Sequence, residues 1–133
     1  MTRKTQEVNA VFTGDKYEHL WGYEVWVENN EFYCNKLLVL NSGFSSSWHY
    51  HERKDETFII LSGEVMLVYA KKDNNNVKIQ ILKPGNKFRI KPGLIHSFMA
   101  VTDQAIVMEV STTDDDDNVK LKPAKKYKRS ENE

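Results

Sequence analysis

The chain of 133 residues has little cysteine, no net charge and no long apolar run. Its one cysteine, Cys34, excludes an internal disulfide and fits a reducing compartment. Nineteen basic residues balance nineteen acidic ones, so the overall charge does not indicate a nucleic-acid partner. No run of about eighteen apolar residues could form a transmembrane helix, and residues 1–22 lack the apolar segment of a signal peptide. We therefore expect a soluble, cytoplasmic protein with no membrane partner.

What the chain does contain is a series of short β-type segments between Tyr23 and Val110. Each is rich in β-branched and aromatic residues, and turn signals rich in Gly, Pro, Asn and Asp separate them. Because no amphipathic helix pattern lies between them, the sequence predicts an all-β sandwich or barrel rather than a βαβ architecture. The segments are YEVWVE, EFYCNKLLVLN, ETFIILS, EVMLVYA, VKIQIL, KFRIK, HSFMAV and AIVMEV.

The length of the chain fits one domain with charged ends. Residues 1–19 are weakly periodic and are interpreted as an N-terminal extension, and residues 20–121 as the barrel. The acidic run Asp114–Asp117 is followed by a strongly basic stretch. Residues 122–133 are therefore expected to form a charged, flexible tail.

Two of the four histidines, His49 and His51, lie one residue apart on a predicted strand. Side chains alternate along a strand, so both imidazoles point to the same face. Glu56 follows the polar turn ERKD, and we expect a hairpin to bring its carboxylate back beside them. His96 would complete the set from a later strand. Three imidazoles and one carboxylate suit one divalent transition metal ion, such as Zn, Mn, Fe, Ni or Cu, with a coordination position left open.

The stretch GFSSSWHYHERKDETFIILSG resembles the cupin signature G(X)5HXH(X)3,4E(X)6G at every fixed position. The resemblance covers about residues 20–121. It implies a double-stranded β-helix, that is, a jelly-roll barrel that holds a metal ion with three histidines and one glutamate. The residues that carry it are Gly43, His49, His51, Glu56 and Gly63.

A second stretch, GNKFRIKPGLIHSFMA, resembles the second cupin motif G(X)5PXG(X)2H(X)3N at Gly85, Gly93 and His96. It departs from that motif twice, since Pro92 lies one residue later than the proline of the pattern and Ala100 replaces its asparagine. Neither departure removes a metal ligand.

The flanking sequence is similar to the cupin domain of type II phosphomannose isomerases and to D-lyxose isomerase-like enzymes. The similarity lies in Trp21, Gly22 and Glu24 and in the acidic run Asp114–Asp117, which occur in the same order. It implies an aldose–ketose isomerase for a sugar or sugar phosphate. Such an enzyme moves a proton between C1 and C2 while a metal ion stabilises the charge on both oxygens.

Glu109 is the best candidate for the proton shuttle, because a carboxylate is out of place in the apolar segment AIVMEV unless it has a partner or a function. The alternative is a rim residue that is hydrogen-bonded to the backbone. Lys54 is the second candidate catalytic residue and would contact a hydroxyl or phosphate group of the substrate. Charges such as Lys54, Lys36 and Arg89 more often solvate the outer face of a barrel, which is the expectation for each of them taken singly.

Other functions stay open at this point, because the cupin fold alone does not determine a reaction. The same ligands around Fe(II) could serve a dioxygenase, and a non-enzymatic cupin could use the metal only to orient a carbohydrate. His19 is expected to be structural, and Trp21, Trp26 and Trp48 to be packing residues. Exposed strand edges and the cupin resemblance favour a homodimer.

Overall fold

The computed structural model describes residues 13–73 and 76–127, and this part of the chain is built from β-strands. It contains no helix that is long and apolar enough to cross a membrane. The predicted all-β class is confirmed, and each of the eight predicted segments contains a strand. The strands are β1 Asp15–His19, β2 Gly22–Asn29, β3 Cys34–Asn41, β4 Phe44–Ser45, β5 Trp48–His51, β6 Glu56–Ser62, β7 Val65–Ala70, β8 Lys78–Leu82, β9 Lys87–Ile90, β10 Ile95–Ala100, β11 Gln104–Ser111, β12 Asn118–Lys122 and β13 Lys125–Lys126.

The strands form two antiparallel sheets. The first sheet has the order β1-β2-β3-β11-β6-β9, and the second contains β12, β5, β10, β4 and β13, with β7 and β8 added beside β10. Strands β4 and β5 follow each other along one edge of β10, while β7 occupies its other edge. The consecutive strands β5 and β6 therefore belong to opposite sheets.

The main hydrophobic core lies between the two sheets. The first sheet contributes Leu38, Phe58 and Val107, and the second contributes Leu67 and Phe98, each at most 6% exposed. A second apolar cluster, around Val25, Leu37, Val39 and Ile106, lies on the other face of the first sheet. Cys34 is buried and forms no disulfide.

Side chains alternate between the two faces along β3 and β11, so some polar side chains lie on the same face as the residues of the main core. On β11, Ala105, Val107 and Glu109 all point inward, and Lys36 on β3 lies directly opposite Glu109 in the register. Apolar residues therefore fill one end of the barrel, and ionisable residues occupy the other. The candidate functional site lies at the ionisable end.

Three details differ from the sequence-based expectation. The turn ERKD does not close a hairpin, because β5 and β6 pair with different strands in different sheets. The expected N-terminal extension contains β1, which pairs with β2 along its length. The expected boundary at residue 121 falls inside β12, and the short strand β13 pairs with β4. Residues 128–133 of the expected tail lie outside the described residues.

Candidate metal centre

Three histidines meet at the polar end of the barrel. His49 and His51 come from β5, and His96 comes from β10, where it pairs directly with His49. One ring nitrogen from each lies within 4.8 Å of the others. Their exposed fractions are 8%, 9% and 1%, so the three imidazoles are withdrawn from solvent. The predicted same-face placement of His49 and His51 is what brings them to one point.

Each of these rings is held by its Nδ1 atom. Nδ1 of His49 lies 2.8 Å from the carbonyl oxygen of Ser47, and Nδ1 of His96 lies 3.0 Å from that of Leu94. Nδ1 of His51 lies 2.9 Å from Oδ1 of Asp117. Carbonyl and carboxylate oxygens only accept hydrogen bonds, so Nδ1 carries the hydrogen in each ring. The lone pair of Nε2 is then free to bind a metal ion, as is usual for histidine ligands with such partners.

Glu56 faces the histidines from the opposite sheet, where it begins β6. Its Oε2 atom lies 3.4 Å from Nε2 of His51 and 3.4 Å from Nε2 of His96. Among the described residues, Glu56 Oε2 and His96 Nε2 are buried atoms without a hydrogen-bond partner. Two unsatisfied acceptors facing each other are costly, and a cation is the partner that satisfies both. The residues present therefore fit a metal ion bound by His49, His51, His96 and Glu56.

The protonation states of these residues suit metal binding. Burial lowers the pKa of His49 to about 3, and the neighbouring His96 acts in the same direction. Burial also lowers the pKa of His51, against the opposing charge of Glu56. For Glu56, burial alone would raise the pKa, but the nearby Lys54 ammonium group lowers it, and the pKa lies well below its usual range. Neutral imidazoles and an ionised carboxylate are the forms that bind a divalent ion.

Lys54 and Glu109 form a buried ion pair beside this set of ligands. Lys54 Nζ lies 2.8 Å from Glu109 Oε2 and 3.6 Å from Glu56 Oε1. Burial and the nearby carboxylate of Glu56 raise the pKa of Glu109 to about 7, although Lys54 opposes the shift. Burial disfavours the charged form of Lys54, but the carboxylates of Glu109 and Glu56 outweigh it and raise its pKa. The expectation that Lys54 solvates the outer face is wrong, because the residue is 3% exposed.

The ion pairs continue from Lys54 towards the rim of the barrel. Asp114 Oδ2 accepts a hydrogen bond from Lys36 Nζ and lies 3.3 Å from Lys54 Nζ. Lys36 also lies 3.7 Å from Glu24 Oε1 and 3.8 Å from the centre of the Trp26 ring. Lys36 is 4% exposed, so the expectation of a solvated residue is wrong here as well. Arg89 does behave as expected, since it is exposed and pairs with Asp55.

This network carries an excess of negative charge. Among the described residues, four carboxylates, those of Glu24, Glu56, Glu109 and Asp114, share the two ammonium groups of Lys36 and Lys54, and Glu24 also pairs with the His19 ring. When all six groups are ionised, two negative charges are left over. A divalent cation at the histidines would balance them, which is a second indication that the residues present fit such an ion.

The ligands open into a cavity of about 750 Å³. Apolar walls are provided by Trp21 and Phe98, and Trp26 lies near Lys36; Trp48 is not among the lining residues. A cavity of this size accommodates a small organic molecule. The ring of His19 stacks on Trp21 with 4.5 Å between ring centres, and its Nε2 atom lies 3.0 Å from Glu24 Oε2.

Sequence reasoning missed the individual roles of Asp114 and Asp117. A run of four aspartates is usually a solvated loop, and here Asp114 contacts the two lysines and Asp117 contacts His51, whereas Asp115 and Asp116 are exposed. The reciprocal hydrogen bonds between Asn29 and Asp114 fix this loop to the end of β2. The sequence did show that the acidic run Asp114–Asp117 follows the last core strand, as it does in the sugar isomerases that the chain resembles. That position does not indicate which of the aspartates point inward.

The sequence profile of the cupin domain matches residues 36–112. An uncharacterized protein of Bacillus subtilis (strain 168), YdbB, is 30% identical over 64 residues, which are 48% of this chain and 50% of that protein. The chain thus spans about half the length of the curated relative it matches.

Solved structures of other proteins share the fold. The capsular polysaccharide assembling protein CapF from Staphylococcus aureus superposes with a TM-score of 0.73 at 14% identity, over 80% of this chain and 31% of CapF. Oxalate decarboxylase from Bacillus subtilis also gives a TM-score of 0.73, at 16% identity, over 82% of this chain and 30% of the enzyme. At such identities the likeness concerns the fold alone.

Proposed function

The chain belongs to the cupin domain family, and from this premise we propose that it is a metal-dependent enzyme that interconverts an aldose and a ketose. The observation that carries the proposal is the buried Lys54–Glu109 pair, because it places an acid–base group beside the metal ligand Glu56. A site that only binds a metal ion has no need of such a pair.

The metal ligands would be His49, His51, His96 and Glu56. A bound divalent ion supplies Lewis-acid polarisation of a substrate carbonyl group and stabilises negative charge on the adjacent oxygens. The chain supplies three of these ligands already deprotonated, since the pKa values of His49, His51 and Glu56 are all lowered.

Glu109 is the group that moves the proton. Isomerisation of an aldose removes the hydrogen of C2 as a proton and returns a proton to C1, while the hydroxyl proton passes from the C2 oxygen to the C1 oxygen. A carboxylate with a pKa near the working pH is suited to both transfers, and the pKa of Glu109 is raised to about 7. Lys54 stays protonated, so its ammonium group holds the Glu109 carboxylate and donates hydrogen bonds throughout.

The charges that line the cavity favour an uncharged sugar over a sugar phosphate. Lys36 and Lys54 are already paired with carboxylates, and Asp115 and Asp116 also line the cavity. Among the described lining residues, Lys120 is the one lysine without an ion pair, and it is exposed. A phosphate dianion would gain one exposed partner and would lie near several carboxylates, which is unfavourable. The same reasoning disfavours a dicarboxylate such as the oxalate in the name of the structural neighbour.

The test is turnover of unphosphorylated aldoses and ketoses by the metal-loaded protein, followed by NMR in D2O. Isomerisation through Glu109 exchanges the migrating proton with solvent, so deuterium is expected at C1 or C2 of the product. Glu109→Gln should retain the metal ion and lose turnover by about 10²–10⁴-fold. Arg89→Gln, which changes an exposed residue on β9, is the matched control and should keep the wild-type rate.

Other outcomes identify the competing functions. Oxygen consumption by the iron-loaded protein, without sugar turnover, would indicate a dioxygenase. Saturable sugar binding without turnover under any metal, unchanged in Glu109→Gln, would indicate a carbohydrate-binding cupin. Either result contradicts the isomerase proposal while leaving the metal centre intact.

A further inference from the structure

We infer that Asp117 is the positioning residue of the metal centre, because its single carboxylate holds the ligand His51 and the backbone segment that leads to Glu56 in the other sheet. This inference rests on the metal centre of the proposed function. Asp117 lies immediately before β12, and the next residue, Asn118, pairs with His51 on β5. Its side chain is fully buried, with an exposed fraction of 0%.

The first contact of Asp117 is with a metal ligand. Its Oδ1 atom lies 2.9 Å from Nδ1 of His51. An acceptor at Nδ1 keeps the hydrogen on that atom, so Nε2 presents its lone pair to the ion, and the ring cannot rotate away without breaking the bond. His49 and His96 are held by backbone carbonyl groups instead, so His51 is the histidine of this set whose ring is fixed by a side-chain carboxylate.

The second oxygen of Asp117 holds the segment that leads to the other sheet. Oδ2 accepts hydrogen bonds from the backbone N–H groups of Arg53 at 2.6 Å and Lys54 at 2.8 Å. These residues belong to the link between β5 and β6, which carries Lys54 and delivers Glu56 to the histidines. One carboxylate therefore fixes the orientation of His51 and the path of the chain to Glu56.

No neutral side chain of the same size can replace these three contacts. The donors are His51 Nδ1–H and two backbone N–H groups, and a carboxylate offers two oxygens that only accept. An asparagine offers one such oxygen, and its NH2 group would face a donor. Asp117→Asn should therefore leave a buried donor unpaired and release either His51 or the 53–54 backbone.

The experiment compares the affinity of wild type and Asp117→Asn for Zn²⁺, by chelator competition, and records the absorption spectrum of each with Co²⁺. We expect the affinity of the variant to fall about 10–100-fold and the Co²⁺ spectrum to change. Asp103→Asn, which makes the same charge change in the loop between β10 and β11, should match wild type in both measurements. Circular dichroism of the metal-free proteins establishes that the variants are folded.

A folded Asp117→Asn protein with wild-type Zn²⁺ affinity and an unchanged Co²⁺ spectrum would overturn the inference and leave the metal centre standing. A wild type that binds neither Zn²⁺ nor Co²⁺ would overturn both the inference about Asp117 and the metal centre. If Asp117→Asn does not fold, NMR of the Zn²⁺-loaded wild type decides the matter. The inference predicts that His51 carries its hydrogen on Nδ1 and that this hydrogen exchanges slowly with solvent, whereas a rapidly exchanging hydrogen would contradict it.

Discussion

Lys54 Nζ lies 2.8 Å from Glu109 Oε2, and the two side chains are only 3% and 5% exposed. Neither residue belongs to the proposed set of metal ligands, yet Lys54 also approaches Glu56, which does. A buried ion pair of this kind contributes little net stability by itself, since desolvation offsets the attraction between the charges. The position of the Lys54–Glu109 pair beside the proposed metal ligands therefore indicates a role in acid–base catalysis rather than in stability.

Removing one partner of this pair should be strongly destabilising. Lys54→Met keeps the length of the side chain but leaves the Glu109 carboxylate buried without its ammonium partner. We expect the free energy of unfolding to fall by about 3–5 kcal/mol, measured by urea denaturation of the metal-free protein. Arg89→Met removes an exposed partner of Asp55 and should have little effect. Equal losses in the two variants would contradict the burial of the Lys54 pair.

The buried histidines should make the metal-free protein sensitive to mild acid. Between pH 6.5 and 5 the unfolded chain takes up protons at histidine, whereas folded His49, whose pKa is about 3, does not. The unfolded state then binds more protons, so stability falls as the pH falls, by up to about 1.4 kcal/mol per pH unit for each histidine that stays neutral.

Glu109 acts in the opposite direction. Its raised pKa means that the folded state binds more protons between about pH 4.5 and 7, so its contribution to stability is lost as the pH rises. The measurement is therefore made in a Glu109→Gln background. Adding His49→Gln should reduce the slope between pH 6.5 and 5. A slope that does not respond to His49→Gln would show that His49 is not a buried neutral group.

Two glycines of the first cupin motif should respond differently to alanine. Gly43 and Gly63 both have positive φ angles, +88° and +71°, which cost about 1–2 kcal/mol for other residues. A Cβ atom at Gly43 would meet nothing within 4 Å, whereas at Gly63 it would lie 2.3 Å from the carbonyl oxygen of Gln104. Thermal unfolding should therefore show a larger loss for Gly63→Ala than for Gly43→Ala. The reverse order would contradict the close approach of β11 to Gly63.

The sequence predicted the parts of this molecule that depend on strand periodicity. Alternation placed His49 and His51 on one face, and the structure confirms this placement. The same alternation left the direction of Glu109 open, because a polar residue at the end of an apolar strand fits either face. Its burial depends on its neighbours Lys36 and Phe58 in adjacent strands, which a single sequence does not identify.

The contacts between sheets could not be predicted in this way. Glu56 was expected to reach the histidines through a hairpin, but it does so from the opposite sheet, because the chain crosses from one sheet to the other between β5 and β6. β1 escaped prediction because all five of its residues are exposed and show no apolar alternation. The sugar substrate, the identity of the metal, the homodimer and the cytoplasmic location stay predictions.

The presence of a metal ion at His49, His51, His96 and Glu56 is tested most directly by elemental analysis of the purified protein beside a His51→Ala, Glu56→Gln double variant. We predict one divalent transition metal ion per chain in the wild type and none in the folded double variant. A wild type that contains no metal, and takes up none of Zn, Mn, Fe or Ni on loading, would contradict the metal centre and every metal-dependent reaction proposed for it.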